Sequence, residues 1–529
     1  MNGHTRLSLL LPVTLNGPVD NAEDSPPTLA SDRIGPASVL VSALGATAPL
    51  AVLITVVPAA YARGGGPLVP LTFVALAVVL LLFSAGYAAM ADRAPFAGAL
   101  YACIARGLGR PAGLGAAWVA LLSYTALQAG LYGIVGAAAA PMLGNWFGLH
   151  EPWWAVAAAG WFLVAIAGTA RVRALGVLLA VIVVAEAAVL SGFAAADLIH
   201  PAGDHLTRTA ILPGHPAAID RPVLGLLLAF GALAFVGFET TGVFAEETTR
   251  PRRDAGRATY AVVICFTLLL AVPAWALAAG AGPDRVGALA DTRGSEMVFD
   301  LASARLAPWA VTLGRIVLVT GLLGAMVALQ ATIARYLFAL GREQIFPRVL
   351  GRASRRTSAP RAASLTQTVL TGAALGAAVL AGVDAPGVLA RRLTALGGLG
   401  ILVLLLATSL AALLHLNRVP NARADGVMAR FIAPILSTVS LGVLCYLAFR
   451  NLPALLSIRA SDNLIWIVPA ALGAVALIGL LHAAMLRATR PAIYAGIGHG
   501  GAPVVVSPKI PRPRKPREPG AHRPERVRD

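Results

Sequence analysis

Apolar and polar positions along this chain come in long blocks and do not alternate. Apolar runs of about 20 residues, long enough to cross a hydrocarbon core as a helix, recur through the chain and are separated by short arginine-bearing connections. A hydropathy window of about 19 residues predicts spans over 36–60, 68–91, 113–143, 153–170 and 174–198, then 222–246, 259–281, 308–340, 362–383 and 393–415. Two more follow over 431–449 and 464–486. The fold class is therefore all-α, a polytopic membrane protein with about twelve transmembrane helices.

Composition strengthens this reading: 57% of the 529 residues are apolar and only 13% charged, against about 25% charged in soluble domains. The formal net charge of +17 sits in short loops and a C-terminal tail, so it reads as membrane topology and no nucleic-acid partner is expected. One set of alternate loops carries Arg93, Arg106, Arg110, Arg171, Arg173, Arg342, Arg348 and Arg352, among others, and the opposite set carries fewer. Both termini are therefore expected in the cytoplasm, with the protein in the cell's inner (plasma) membrane. The chain divides into an arm (1–35), a transmembrane region (36–487) and a basic, proline-rich tail (488–529) expected to be disordered. The apolar run Leu7 to Leu15 lacks a cleavage pattern and is read as part of the arm. The tail can attract anionic lipid heads or simply be solvated.

Chemistry of other kinds finds little support. Cys103, Cys265 and Cys445 stand far apart without CxxC spacing, and His150, His200, His205 and His215 are scattered in loops, so no disulfide, metal or other cofactor is expected. Motifs of metallopeptidases and serine hydrolases are absent, which argues against an enzyme.

Two spans carry helix-breaking residues at mid-membrane. The first contains Ser42-Ala43-Leu44-Gly45-Ala46-Thr47-Ala48-Pro49, and the sixth contains Phe230-Gly231-Ala232-Leu233-Ala234-Phe235-Val236-Gly237-Phe238-Glu239. These are the first spans of two five-span groups, 36–198 and 222–415, so their positions suggest an inverted repeat whose broken helices face each other. Freed amides would cradle a carboxylate, and freed carbonyls an ammonium group. The alternative is that glycine and proline here serve close packing or a kink.

Polar side chains inside spans add candidates. Tyr124, Gln128 and Tyr132 recur every four residues on one helix face, positioned either to hydrogen-bond a substrate or to join helices. Glu186 lies near the middle of the fifth span and Glu239 just past the sixth-span break; a carboxylate at such depth costs about 2.5–3.5 kcal/mol and is seldom idle. Glu246 and Glu247 fall nearer the interface, where solvation makes a structural or topogenic role sufficient.

Three motifs carry a family resemblance. Phe83-Ser84-Ala85-Gly86-Tyr87-Ala88-Ala89-Met90, with Pro95-Phe96-Ala97-Gly98-Ala99-Leu100-Tyr101 and Arg106-Gly107-Leu108-Gly109, resembles the second-span signature of the amino acid-polyamine-organocation superfamily. Phe235 to Glu239 leading to Glu246-Glu247 is similar to its sixth-span motif, and Arg335-Tyr336-Leu337-Phe338-Ala339-Leu340-Gly341-Arg342-Glu343 to the end of its eighth span. Ala46 stands where a second glycine is common, Phe96 where a polar residue is, and Gly256 where proline is usual. The resemblance implies a five-plus-five inverted repeat with two extra C-terminal helices (431–486), and secondary active transport of an amino acid. Proton-coupled uptake by alternating access is the expected mode, with the substrate, protons and membrane lipid as partners. Substrate contacts would come from Gly45, Ala46, Thr47, Ala48, Ala232, Phe235, Val236 and Gly237, with Phe235 as a lid, assisted by Tyr124 and Gln128. Glu186 would accept the coupling proton and Glu239 would belong to the gating network. An amine or polyamine carrier, an exchanger, a membrane enzyme and a non-transporting sensor are the alternatives.

Overall fold

The computed structural model describes residues 35–500 apart from 92–98, 204, 207–209, 211–219, 249–250, 355–358, 419–425 and 460. The arm through residue 34, the loop motif around Phe96, His215 and the tail from residue 501 lie outside the described residues.

Among the described residues, eleven helices are long and apolar enough to cross a membrane. The chain is thus an all-α, polytopic membrane protein. The predicted fourth span is the exception: its helix is Trp153–Ala167, 15 residues, about 22 Å at 1.5 Å per residue. The chain then turns through Gly168, Thr169 and Ala170, which hydropathy alone had assigned to the span. Counting this short helix in sequence keeps the numbering of twelve segments.

The third helix, Arg110–Phe147, is the pillar of the bundle. Its 38 residues extend about 57 Å, more than the hydrocarbon thickness, and it packs on the tenth (Leu393–Arg418), twelfth (Ile467–Thr489), fourth and eighth (Pro308–Arg342) helices. Small residues make these approaches possible. A Cβ on Gly479 would lie 2.6 Å from the Gly115 Cα, and one on Gly397 would lie 2.5 Å from the Ser123 carbonyl oxygen. Lipid offers no hydrophobic drive between helices, so such close main-chain packing and interhelical hydrogen bonds hold the bundle. Large apolar side chains including Phe162, Val181, Val184, Leu268, Val439 and Leu481 remain outward, where lipid is the solvent.

The bundle end that carries Pro36, Arg110, Val172 and Arg342 bears most of the loop arginines and is the basic end. At the other end Arg305 joins two helices, donating to Asp197 Oδ1 at 2.5 Å and to the Gly280 carbonyl at 2.6 Å. At the basic end the twelfth helix runs to Thr489, and a short helix, Pro491–Gly496, follows. Residues 488–500, assigned to a disordered tail by sequence, are ordered here: the Gly500 N–H donates to Glu343 Oε1 at 2.7 Å, and Arg106 donates to the Gly498 carbonyl at 3.3 Å. Tail composition was dominated by the later Pro-Arg steps, which hid this packed start.

Candidate functional site

The first span is broken where the sequence placed its break. Helix Pro36–Thr47 ends and helix Pro49–Ala62 begins on either side of Ala48, which takes φ 48° and ψ 65°. Proline at 49 cannot donate to the preceding turn and clashes with it, so the chain must leave the helix there. A left-handed alanine costs about 1–2 kcal/mol, tolerated because the surroundings fix it. The Ala48 N–H reaches only the Gly45 carbonyl (3.2 Å), and the Thr47 hydroxyl donates to the Leu44 carbonyl (2.7 Å). Leu50 and Ala51 lie in the first turn of helix Pro49–Ala62, and Ala46 and Thr47 in the last turn of helix Pro36–Thr47, the positions at which a helix leaves amides and carbonyls without intrahelical partners.

The sixth span breaks as well. Helix Arg221–Ala234 gives way at Phe235-Val236-Gly237, and a ten-residue 3₁₀ segment, Phe238–Glu247, continues it. Gly237 has φ 117°, open only to glycine, and a Cβ there would lie 2.9 Å from the Ala46 carbonyl carbon and 3.0 Å from the Thr47 nitrogen. The two breaks therefore touch, main chain against main chain. Ala46, Thr47, Ala48, Ala232, Val236 and Gly237 are all buried at this meeting, with Gly45 one turn along, against Leu179 and Val183 of the fifth span.

Glu239 closes the sixth-span break from within. Its Oε2 accepts the Gly237 N–H at 2.9 Å, and its Oε1 accepts the Tyr124 hydroxyl at 2.8 Å. The amide freed at this break is thus taken by the chain's own carboxyl, and Tyr124 ties the third span to it. Tyr124 also stacks obliquely against Tyr336 of the eighth helix, 5.7 Å between centroids.

Gln128 points elsewhere. Its amide nitrogen donates to Gln330 Oε1 at 2.9 Å, and its oxygen accepts from Gln367 Nε2 at 3.0 Å. Gln330 in turn donates to Ser364 and Thr368, so a buried amide network joins the third, eighth and ninth spans. Gln128 is engaged there as an interhelical link, and Tyr132 flanks it at 3.4 Å. Phe235, read as a lid, has its ring against Phe266 (5.0 Å, 71°) and Phe73 (6.4 Å), packed between the second and seventh spans. Aromatic pairs of this kind are worth about 0.5–1.5 kcal/mol beyond their area burial.

Glu186 is 1% exposed, and neither carboxyl oxygen has a hydrogen-bond partner among the described residues. Its carboxyl lies against Gly321 of the eighth helix, where a Cβ would sit 2.3 Å from Oε1. The Leu50 amide is close by, short of hydrogen-bond geometry. That amide belongs to the first turn of helix Pro49–Ala62, whose dipole presents positive charge at this end. Such an orphaned buried carboxyl is equipped to exchange a proton or meet a cation.

Two ion pairs escaped the sequence reading. Glu247 is 0% exposed and paired two-pronged with Arg335, which is 2% exposed; Arg335 Nη2 donates to Glu247 Oε2 at 2.9 Å. Glu246 pairs with Arg342 through contacts of 2.5 and 3.0 Å. Of the structural or topogenic role expected of these acids, the structural one is what the pairs supply, a latch between the sixth and eighth spans; the expected solvation is not found at Glu247, which is buried. The signal was Arg335 itself, an arginine inside an apolar span that must find a buried partner.

A family model described as amino acid permease matches residues 34–477. No protein with a curated description matches the chain.

Proposed function

Because the chain belongs to the amino acid permease family, a family of transporters and not of enzymes, we propose that it moves a small amino acid with a proton by alternating access around the meeting breaks of the first and sixth spans. The observation that carries this reading is the contact of Gly237 with the main chain at Ala46 and Thr47. When the sixth span withdraws from the first, the first-turn amides at Leu50 and Ala51 would face a substrate carboxylate, and the last-turn carbonyls at Ala46 and Thr47 its ammonium group. The two five-span groups would then be inverted repeats, and the basic end would face the cytoplasm.

Glu186 supplies the coupling in this reading. Ionised, it competes with a substrate carboxylate for the positive end of helix Pro49–Ala62; protonated, it yields that end. Substrate and proton therefore favour each other's binding, which is the condition for symport. Tyr124 and Glu239 hold the break closed between cycles.

The test is uptake by the purified full-length chain in liposomes, with a panel of labelled amino acids under an imposed proton gradient. Gradient-driven accumulation is expected, and Glu186→Gln is expected to abolish it while leaving counterflow. Neither accumulation nor counterflow of any amino acid would end the proposal. One observation favours an amine as cargo: the titratable groups at the breaks, Glu186 and Glu239, are acidic. Stronger competition by putrescine than by alanine would move the assignment there.

A further inference from the structure

Toward the basic end from the breaks lies a cavity of about 210 Å³ between the first, fifth, sixth and eighth spans. Liquid water occupies about 30 Å³ per molecule, so a small carboxylate fits. Ser38 and Ser42 of the first span, Arg173 and Leu179 of the fifth, Phe244 and Arg335 line it. Its polar lining is donor-rich. Ser42 is 7% exposed, yet its hydroxyl makes no hydrogen bond among the described residues, unlike Ser84 and Ser123, which bond back to their own helices.

Arg173 stands at the start of the 28-residue helix Val172–Ile199, which has no side-chain cap. The unbonded amides of its first turn and their dipole add positive potential. Arg335 brings no free charge, since Glu247 neutralises it and its guanidinium covers the Phe244 ring at 4.3 Å. Arg173 is exposed and no ion pair engages it among the described residues, so among these the free charge of the cavity is positive.

Position relative to the breaks gives the cavity its meaning. Ser42 precedes Ala46 by one helical turn, about 6 Å along the axis. Leu179, which lines the cavity, also lies 3.6 Å from where a Gly45 Cβ would be, so one leucine separates the two places. We propose that this cavity is a second carboxylate-binding station, at which the Ser42 hydroxyl, the Arg173 guanidinium and the first-turn amides hold the carboxylate of an amino acid passing between the breaks and the basic-end compartment. The assignment rests on the amino acid reading above and adds a second site to it.

Oriented liposomes carrying the full chain test it, with labelled L-alanine presented separately at each face. Arg173→Gln and Ser42→Ala should raise half-saturation at the basic face about tenfold, the worth of one charge-assisted hydrogen bond, and leave the opposite face unchanged. Unchanged half-saturation at the basic face, or equal changes at both faces, overturns the station. A binding readout stands apart from transport: alkylation of Ser42→Cys from the basic face should be slowed by acetate and by L-alanine. Protection by chloride equal to that by acetate, or no protection at all, overturns the carboxylate assignment. Acetate protection in a protein that moves no amino acid would instead keep the station and remove the transport reading.

Discussion

Tyr124 and Glu239, on the third and sixth spans, are joined by a 2.8 Å hydrogen bond inside the bundle, with the phenol donating to a carboxyl that also receives the Gly237 amide. Tyr124→Phe removes one of these two donors and leaves Oε1 buried without a partner. A lost bond to a charged group is worth about 1.5–3 kcal/mol. Lower thermal stability and slowed counterflow are expected, whereas Glu239→Gln in the same background should recover part of the stability loss. Melting of the single and double variants checks this.

Gly237→Ala should be among the most damaging single-methyl changes in the chain. The position combines φ 117° with main-chain atoms 2.9–3.0 Å from the new Cβ. Strain of about 1–3 kcal/mol adds to overpacking of similar size. Transport should fall by about tenfold or more, with a lowered melting temperature, and the same substitution at Gly376, where no neighbour lies within 4 Å, provides the control.

Gly321→Ala should act through Glu186. The added methyl would stand 2.3 Å from Oε1, so the carboxyl has to move away from the eighth helix. Proton-driven accumulation should be impaired as in Glu186→Gln, with counterflow retained. Equal loss of both would mean that the methyl disrupts packing and not the proton site.

The Arg335 and Glu247 pair should be unforgiving when halved. Both side chains are almost wholly buried, and removing one partner strands a charge at about 3–5 kcal/mol. Arg335→Gln and Glu247→Gln should each lower the melting temperature more than the double variant does. Additive losses in this cycle would show that the two charges are not coupled.

Glu343, just beyond the eighth helix, brings a pH dependence. Burial pushes its carboxyl up to about 7, against the opposing pull of the Gly500 and Gly498 amides, Tyr101 and Arg342. A raised folded value means that the stabilising proton is held in full below the ordinary value of 4.5 and lost as pH rises through about 7. Residues 491–500 should therefore be held more firmly at pH 6 than at pH 8. Hydrogen exchange of these amides, corrected for intrinsic rate, should show the difference, and Glu343→Gln should erase it.

Much of this architecture was readable because glycine and proline punctuate the apolar runs. Pro49 and Gly237 announced both breaks to within a residue or two, since one removes a donor and the other alone tolerates the required φ. Carboxylates at Glu186 and Glu239 stood out because lipid makes them expensive. Partner choice was not readable. Tyr124 and Gln128 share a helix face, yet one meets Glu239 and the other meets Gln330 and Gln367, a difference set by the packing of neighbouring helices and not by spacing. The short fourth helix was hidden for a related reason, because hydropathy records how apolar Gly168 to Ala170 are and not that the chain turns there.

The ten residues from Phe238 to Glu247 are wound as a 3₁₀ helix, a form seldom sustained beyond three or four residues. Each residue rises about 2.0 Å in this winding and 1.5 Å in an α-helix, so rewinding the whole segment would shorten it by about 5 Å. The segment is thus an overextended strut, anchored at one end where the two half-helices meet and at the other by Arg335 and Arg342. Contraction of that strut would draw its two anchorages together along its axis by about one helical turn.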